Sequence, residues 1–221
     1  MNALYISAKR VDISPLHPLR LAGFASRIGV YEKVITPIEA QCLLFKQGDR
    51  EVLLVGADLL WWSPDFIHSF RPRLAEAMNL SEEQILFTAT HNHAGPGTGD
   101  NFLPLLEAAS DQYVAYLKEA LLATCKNLRK HYEEASLTLH KVHIPCSINR
   151  RKLVNGKILM EPNPKQAITQ EAKILTLSRK KGIETTTQHD VLVHIVHYPC
   201  HATSSAENAL HSEYPGVIRK A

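Results

Sequence analysis

Two histidines separated by a single residue are the strongest chemical signal in this 221-residue chain. They lie in the segment Thr90–Gly97, THNHAGPG, directly after a short apolar run. In an extended chain, residues two apart point to the same face, so the rings of His91 and His93 are predicted to converge. The glycine-proline turn that follows lets backbone approach whatever the rings hold. Because histidine is the commonest protein ligand of zinc, the pattern favours a metal site over histidines that only form hydrogen bonds.

A second group of histidines follows another apolar run, Val191–Val196. A proline-containing turn then leads to His201, which we predict to be the second metal ligand. His197 is predicted to pack or to support a ligand, because it lies on the opposite strand face from His194. Catalytic zinc usually has three protein ligands and a water, so a carboxylate or phenolate is the expected third ligand. Three such residues are close in sequence: Glu207, Glu213 and Tyr214.

The elements that must position these residues alternate between strand and helix patterns. Strands are predicted over Leu4–Ile13, Ile38–Lys46, Glu51–Ala57, Gln84–Thr90, Leu137–Pro145, Ile174–Ser178 and Val191–His197, with a hairpin turn at Val154–Lys157. One helix is predicted from the cap Ser63 to about Met78, and another from the cap Ser110 to about Tyr132. Several neighbouring strands are joined too tightly for crossover connections. The predicted fold class is therefore α/β, with mixed β-sheets, flanking helices and a metal site on loops at strand ends.

The bulk composition narrows the classes of function. The chain is 45% hydrophobic and 21% charged, which is ordinary for a globular protein. Its net charge of +3 is spread along the chain without a basic block, so nucleic-acid binding is not expected. We find no signal-peptide pattern and no run of the roughly 18 apolar residues that a transmembrane helix needs. A cytoplasmic protein is expected, and its oligomeric state is left open.

Residues 1–221 are predicted to form a single α/β domain. The last segment, Glu213–Ala221, has the pattern of an opening helix but no helix-ending signal. We therefore expect a chain that is cut short, and the family resemblance described below implies that it is the N-terminal half of a longer catalytic domain.

Thr90–Gly97 resembles the THTHSGPG signature of the neutral, non-lysosomal ceramidases. Shorter segments resemble further motifs of that family, in the family's order along the chain. These are Val11–Pro15 with DITP, Ala22–Phe24 with a glycine-aromatic turn, Gly56–Asp58 with a strand-ending aspartate, Ile148–Arg150 with INR, Asn163–Pro164 with Asn-Pro, Cys200–Thr203 with T-H-x-T, and Ser212–Gly216 with S-x-D-x-x-G. The resemblance extends over nearly the whole chain, and THNHAGPG is its most specific element.

The resemblance implies a zinc-dependent hydrolase that cleaves the amide bond of N-acyl amine lipids. It implies that His91 and His201 bind zinc, that His93 contacts the developing oxyanion, and that Arg150 binds and polarises the substrate. The family's other ligands, a glutamate and a tyrosine, lie far downstream of the segment resembled here. The family's ceramidases also have a serine after INR, whereas this chain has Arg151-Lys152-Leu153. The resemblance therefore does not fix ceramide as the substrate.

Two other functions remain compatible with the sequence: an inactive or incomplete metal-binding fragment, and a zinc esterase or deacylase on the same scaffold. Individual residues leave alternatives open as well. Asp58 either orients a ligand histidine or caps a turn. Trp61 and Trp62 either line an acyl pocket or belong to the core. Without the resemblance, Arg150 would be a solvated residue of a basic turn.

Overall fold

Strand and helix alternate along the chain as the sequence predicts. The computed structural model describes residues 2–99, 102–106, 109–180 and 190–220. The described strands are β1 Leu4–Asp12, β2 Lys33–Val34, β3 Glu39–Gln47, β4 Arg50–Ala57, β5 Ile85–Ala89, β6 Glu133–His143, β7 Arg151–Val154, β8 Lys157–Met160, β9 Glu171–Arg179, β10 Val191–His197 and β11 Ala209–Leu210. The described α-helices are α1 Pro64–Met78, α2 Asp111–Lys126 and α3 Glu213–Ile218.

The contacts of the chain divide into two units. The first comprises Met1–Glu134 and Ala202–Ala221, and the second comprises Ala135–His201. The prediction of a single domain over residues 1–221 stays a prediction.

The first unit contains a mixed sheet in the order β1-β3-β4-β5. β1 and β4 both pair with β3 in antiparallel register, whereas β5 pairs with β4 in parallel. Because β4 and β5 are parallel, both end at the same edge of the sheet, and the loop after β5 runs beside the loop after β4. The predicted α/β class with mixed sheets and flanking helices is confirmed.

Helices α1 and α2 cover the apolar face of this sheet. Their buried side chains, among them Phe70 of α1 and Leu117 of α2, share one core with Leu44 of β3 and Leu53 of β4. Burial of each such side chain contributes about 1.5–3 kcal/mol to folding, so this core holds the strand ends in place. Among the described residues, none of the helices combines the length and apolar character that a membrane span requires.

The end of α2 corrects the predicted boundary. The α-helix stops at Lys126 instead of continuing to about Tyr132, and a short 3₁₀ turn, Leu128–His131, follows. The side-chain amide of Asn127 donates to the carbonyl of Ala123 at 3.0 Å, inside the last helical turn. Side-chain amides that bond to nearby backbone compete with the regular helix pattern, which explains the early end.

The second unit contains the antiparallel sheet β6-β9-β10 and the hairpin β7-β8. The hairpin turns at Asn155 and Gly156, both with positive φ, as the Asn-Gly pair predicts. β6 and β10 flank β9 and end at the same edge, where the hydroxyl of Tyr198 donates to the carbonyl of Ile144 at 2.8 Å. His201 lies just beyond this edge.

Candidate metal centre

His91 lies in the loop after β5, held against the loop after β4. The backbone N–H of Thr90 donates to the carbonyl of Ala57, and that of Asn92 donates to the carbonyl of Leu59, both at 3.0 Å. His91 itself has φ 59°, so the chain is not extended there, contrary to the prediction. Its ring turns back toward β4, and Nδ1 lies 2.9 Å from the carbonyl oxygen of Leu60.

His93 is buried and is held by the glycine-aromatic turn. Its Nδ1 lies 2.9 Å from the carbonyl oxygen of Gly23. The ring of Phe24 meets the imidazole edge to face, with 5.3 Å between centroids. Gly23 has φ 98°, and a Cβ there would lie 2.6 Å from Nδ1 of His93. Only glycine therefore fits beneath the ring without a shift of the loop.

The two carbonyls fix which nitrogen of each ring carries the hydrogen. A carbonyl oxygen only accepts, so both Nδ1 atoms donate, and in the neutral rings both lone pairs lie on Nε2. The two Nε2 atoms are 3.3 Å apart. Two nitrogens bound tetrahedrally to one zinc at about 2.0–2.1 Å each would be about 3.3–3.4 Å apart. The donor chemistry and spacing of this pair therefore fit a zinc ion.

His91, His93 and His201 form a group of histidines that could hold a metal ion. The neighbouring carbonyl of Ala202 accepts a hydrogen bond from the backbone N–H of His93 at 3.4 Å. The rings of His91 and His93 do converge as predicted, although the left-handed conformation of His91 replaces the expected extended chain.

Arg150 contacts His201. Its Nη2 lies 3.2 Å from Nδ1 of His201, and because a guanidinium only donates, the imidazole nitrogen accepts. Asn149 and Asn163, from the INR and Asn-Pro segments, brace the start of β7 beside it. The backbone N–H of Asn163 donates to the carbonyl of Asn149 at 2.7 Å, and its side-chain amide donates to the carbonyl of Arg151 at 2.9 Å.

Asp58 braces the loop before His91 instead of bonding to a histidine ring. Its buried carboxylate accepts from the backbone N–H of Glu39, from the hydroxyl of Thr90 and from both terminal nitrogens of Arg219. Burial raises the pKa of Asp58, and the ion pair with Arg219 opposes that rise. Asp58 thus neither orients a ligand histidine directly nor only caps a turn, as the two predicted alternatives had it. It forms a buried ion pair with Arg219 and bonds to Thr90, the residue before His91.

The two tryptophans play different parts. Trp62 packs against Phe66 and Phe87 and donates to the carbonyl of Thr88 at 2.8 Å, as the core alternative predicts. Trp61 instead lies beside the ring of His91. Its ring centroid is 6.2 Å from that of His91 and 5.6 Å from that of Phe102.

His93 is the third member of the group. The family resemblance had assigned it to the developing oxyanion of the substrate instead of to the metal. Of the acidic candidates, Glu207 pairs with Lys33 at 2.5 Å, and Glu213 accepts from the backbone N–H of Ser204 at 2.8 Å. His197 is exposed on β10, so it does not pack in the core, and the alternative that it supports a ligand stays a prediction. The HxH pattern had indicated a metal site, and only the family resemblance assigned His93 to the oxyanion instead of to the metal.

Solved ceramidase structures show the same fold. A ceramidase complexed with C2 and the neutral ceramidase from Pseudomonas aeruginosa each superpose with a TM-score of 0.75 over 96% of this chain, at 14% sequence identity. The chain has a ceramidase fold. It spans about a third of those proteins, 34% of each chain. No protein-family model and no curated protein sequence matches it. The predicted resemblance to ceramidases is thus confirmed at the level of the fold.

Proposed function

We propose that this chain carries the metal-binding part of a zinc-dependent hydrolase that cleaves N-acyl amine lipids. The observation that supports the proposal most directly is the group of His91, His93 and His201, which could hold a metal ion, on a ceramidase fold. Hydrogen bonds from Nδ1 of the first two rings to backbone carbonyls add to this support, because ligand histidines are generally oriented in this way.

His91 and His201 would hold the zinc ion, and the lone pair on Nδ1 of His201 would bind the metal in place of its hydrogen bond with Arg150. When bound, zinc supplies Lewis-acid polarisation of a carbonyl and activation of water. The Leu60 carbonyl keeps the hydrogen of His91 on Nδ1 and so presents Nε2 to the metal. The fold supplies the rest of the orientation through Thr90 and Asn92, which tie the loop to the end of β4.

His93 and Arg150 would stabilise the oxyanion that forms when water attacks the amide carbonyl. His93 must then carry a hydrogen on Nε2, since its Nδ1 is already bonded to Gly23. A donor of this kind is worth about 2.7–4 kcal/mol, or about 10²–10³ in kcat. The 3.3 Å spacing of the two Nε2 atoms supports a second candidate role, in which His93 is itself a zinc ligand.

An apolar acyl chain is the substrate feature that the surroundings of His91 favour. Trp61 and Phe102 stack edge to face beside this ring, and Phe102 is exposed. The amine portion of the substrate is left open, because Arg151-Lys152-Leu153 replaces the serine-containing stretch of the family's ceramidases. A cytoplasmic location and the absence of nucleic-acid partners stay predictions of the sequence.

Zinc content and hydrolysis should be measured separately on the 221-residue chain. We expect about one zinc per chain by mass spectrometry of the dialysed protein, and its loss in His91→Ala. His197→Ala, on exposed β10, is the matched control and should keep the metal. Equal zinc content in the two variants would contradict the assignment of His91.

A substrate panel should contain N-acyl sphingosines, short N-acyl amines and matched esters. We expect amide cleavage, and a loss of about 10²-fold or more in Arg150→Ala. Arg151→Ala, one residue along, is the control and should leave turnover unchanged. A preference for esters would instead favour the esterase alternative.

His93→Gln distinguishes the two roles of that ring. Retained zinc with lost turnover supports the oxyanion role, whereas lost zinc supports ligation.

A metal-binding segment without turnover is the second candidate function. The chain spans only 34% of the ceramidases that share its fold, so residues outside that span could be required for hydrolysis. Zinc bound at one equivalent with no hydrolysis of any substrate in the panel would support this candidate.

A further inference from the structure

A buried arginine lies behind His93. Arg27 is only 6% exposed, and its Nη1 donates to the carbonyls of His93 and Ala22 at 2.8 and 2.9 Å. Its Nη2 donates to the carbonyl of Glu207 at 3.2 Å. One rigid guanidinium therefore joins three separate segments of the first unit. A flexible ammonium could not satisfy the same three carbonyls in this planar arrangement.

Arg27 also acts on the ring of His93 through the turn that holds it. The guanidinium lies 4.8 Å from the ring centroid of Phe24, and the edge of that ring system meets the imidazole of His93. The hydrogen bond from Arg27 to the carbonyl of Ala22 anchors the residue before Gly23. The carbonyl of Gly23 in turn accepts a hydrogen bond from Nδ1 of the His93 imidazole. The backbone and the ring of His93 are thus both fixed by contacts that Arg27 organises.

Glu213 supplies the opposite charge that a buried guanidinium needs. Its carboxylate is 5% exposed and accepts from the backbone N–H and the hydroxyl of Ser204. Burial lowers the pKa of Arg27, and the charge of Glu213 opposes that change. Placing a charge in this environment is costly, and the three carbonyl acceptors and the charge of Glu213 offset that cost.

We infer that Arg27 is a positioning residue, which sets the place and the hydrogen-bonded state of the His93 imidazole. The inference rests on the proposed function for its chemical consequence. The position of the ring can nevertheless be measured whether or not the chain hydrolyses amides.

The test follows the imidazole N–H signals by NMR in ¹⁵N-histidine-labelled protein. In the wild type, the Nδ1–H groups of His91 and His93 should both be protected from exchange by their carbonyl partners. In Arg27→Ala and Arg27→Lys, the His93 signal should broaden or vanish while the His91 signal, bonded to Leu60, stays. Arg129→Ala, which removes the ion pair with Glu51, is the control and should change neither signal.

Turnover gives a second readout. We expect kcat to fall about 10²-fold in Arg27→Ala with little change in KM, as for a catalytic group moved by about 1 Å. Added guanidinium ion should restore part of it, which loss of overall stability would not allow. Should Arg27→Ala fail to fold, Arg27→Lys carries the test.

An unchanged His93 signal in a folded Arg27 variant would overturn the inference, as would equal loss of both histidine signals. A selective His93 change without zinc binding or turnover in the wild type would sustain it while refuting the proposed function.

Discussion

His91 and His93 are both oriented by hydrogen bonds to backbone carbonyls. Each Nδ1 is 2.9 Å from a carbonyl oxygen, of Leu60 for His91 and of Gly23 for His93. Both carbonyls belong to chain segments that the sheet or a glycine turn holds in place. The orientation of the rings therefore depends on the loops behind them, and small changes in those loops should change the positions of the two imidazoles.

Gly23→Ala tests this dependence at a single atom. A Cβ at this position meets His93 Nδ1 at 2.6 Å, in addition to the strain of a positive φ. Gly29→Ala is the matched control, because Gly29 also has positive φ but no atom within 4 Å of its Cβ. We expect the control to lose about 1 kcal/mol of unfolding free energy, and Gly23→Ala to lose more than that and to bind zinc more weakly. Urea unfolding and zinc titration measure the two effects, and equal losses would contradict the proposed contact.

The sequence predicted which residues converge but not how. The HxH spacing predicted that the rings of His91 and His93 approach each other, and the assignment of His201 as a metal ligand stays a prediction. The left-handed conformation of His91 could not be predicted, since it follows from bonds to Leu59 and Leu60, about thirty residues earlier in the chain. Arg27 carried no sequence signal, because its burial depends on carbonyls from distant segments.

At the scale of elements, helix α1 is bonded through its N-cap residue, Ser63, to the loop after β5 that contains His91. The Ser63 hydroxyl accepts from the N–H of Phe66 and donates to the carbonyl of Thr98 at 3.1 Å. Ser110 caps α2 in the same way through Tyr113 but makes no such link to the loop in the described bonds. We expect Ser63→Ala to cost about 2 kcal/mol and Ser110→Ala about 1 kcal/mol in urea unfolding. Equal costs would contradict the added role of the Thr98 bond.

The pairing of β4 with the turn after α2 should depend on pH. Hydrogen bonds from Arg129 lower the pKa of Glu51 from 4.5, against the opposing effect of burial, and Tyr132 adds a further bond. A carboxylate with a lowered pKa in the folded state stabilises the protein above the pKa of the unfolded state. That contribution is lost as the pH falls through the folded value.

Glu51→Gln should therefore lower the unfolding free energy by about 1–2 kcal/mol at pH 7. The difference from the wild type should shrink once the pH falls below 4.5. Glu119→Gln, which removes an exposed ion pair with Arg73, is the control and should change stability by less than about 0.5 kcal/mol. A difference that stays constant down to pH 3 would show that the Glu51 charge does not contribute.

Elements with a clear sequence pattern were predictable, and the two-residue strands were not. The strands over residues 4–12, 39–47 and 50–57 carry enough apolar residues to show their period. By contrast, β2 and β11 are two residues long and pair in parallel with each other, so they leave no periodic signal. The early end of α2 depends on a hydrogen bond from the side-chain amide of Asn127, which the pattern of apolar residues does not predict.

At the scale of the whole molecule, a metal that binds only the folded chain must stabilise it. Zinc at a hundred times its Kd should raise the unfolding free energy by about 2.7 kcal/mol. A chelator should reverse the rise in melting temperature, and His91→Ala should show no response. A zinc response retained in His91→Ala would place the bound metal elsewhere.

The proposed zinc site can be located in crystals of the 221-residue chain grown with zinc and measured above and below the zinc absorption edge. We expect one anomalous peak at bonding distance, about 2.0–2.1 Å, from a nitrogen of His91 and a nitrogen of His201. The same map shows whether His93 is a third ligand. A fully occupied peak at any other place, with these imidazoles unbound, would refute the proposed zinc site.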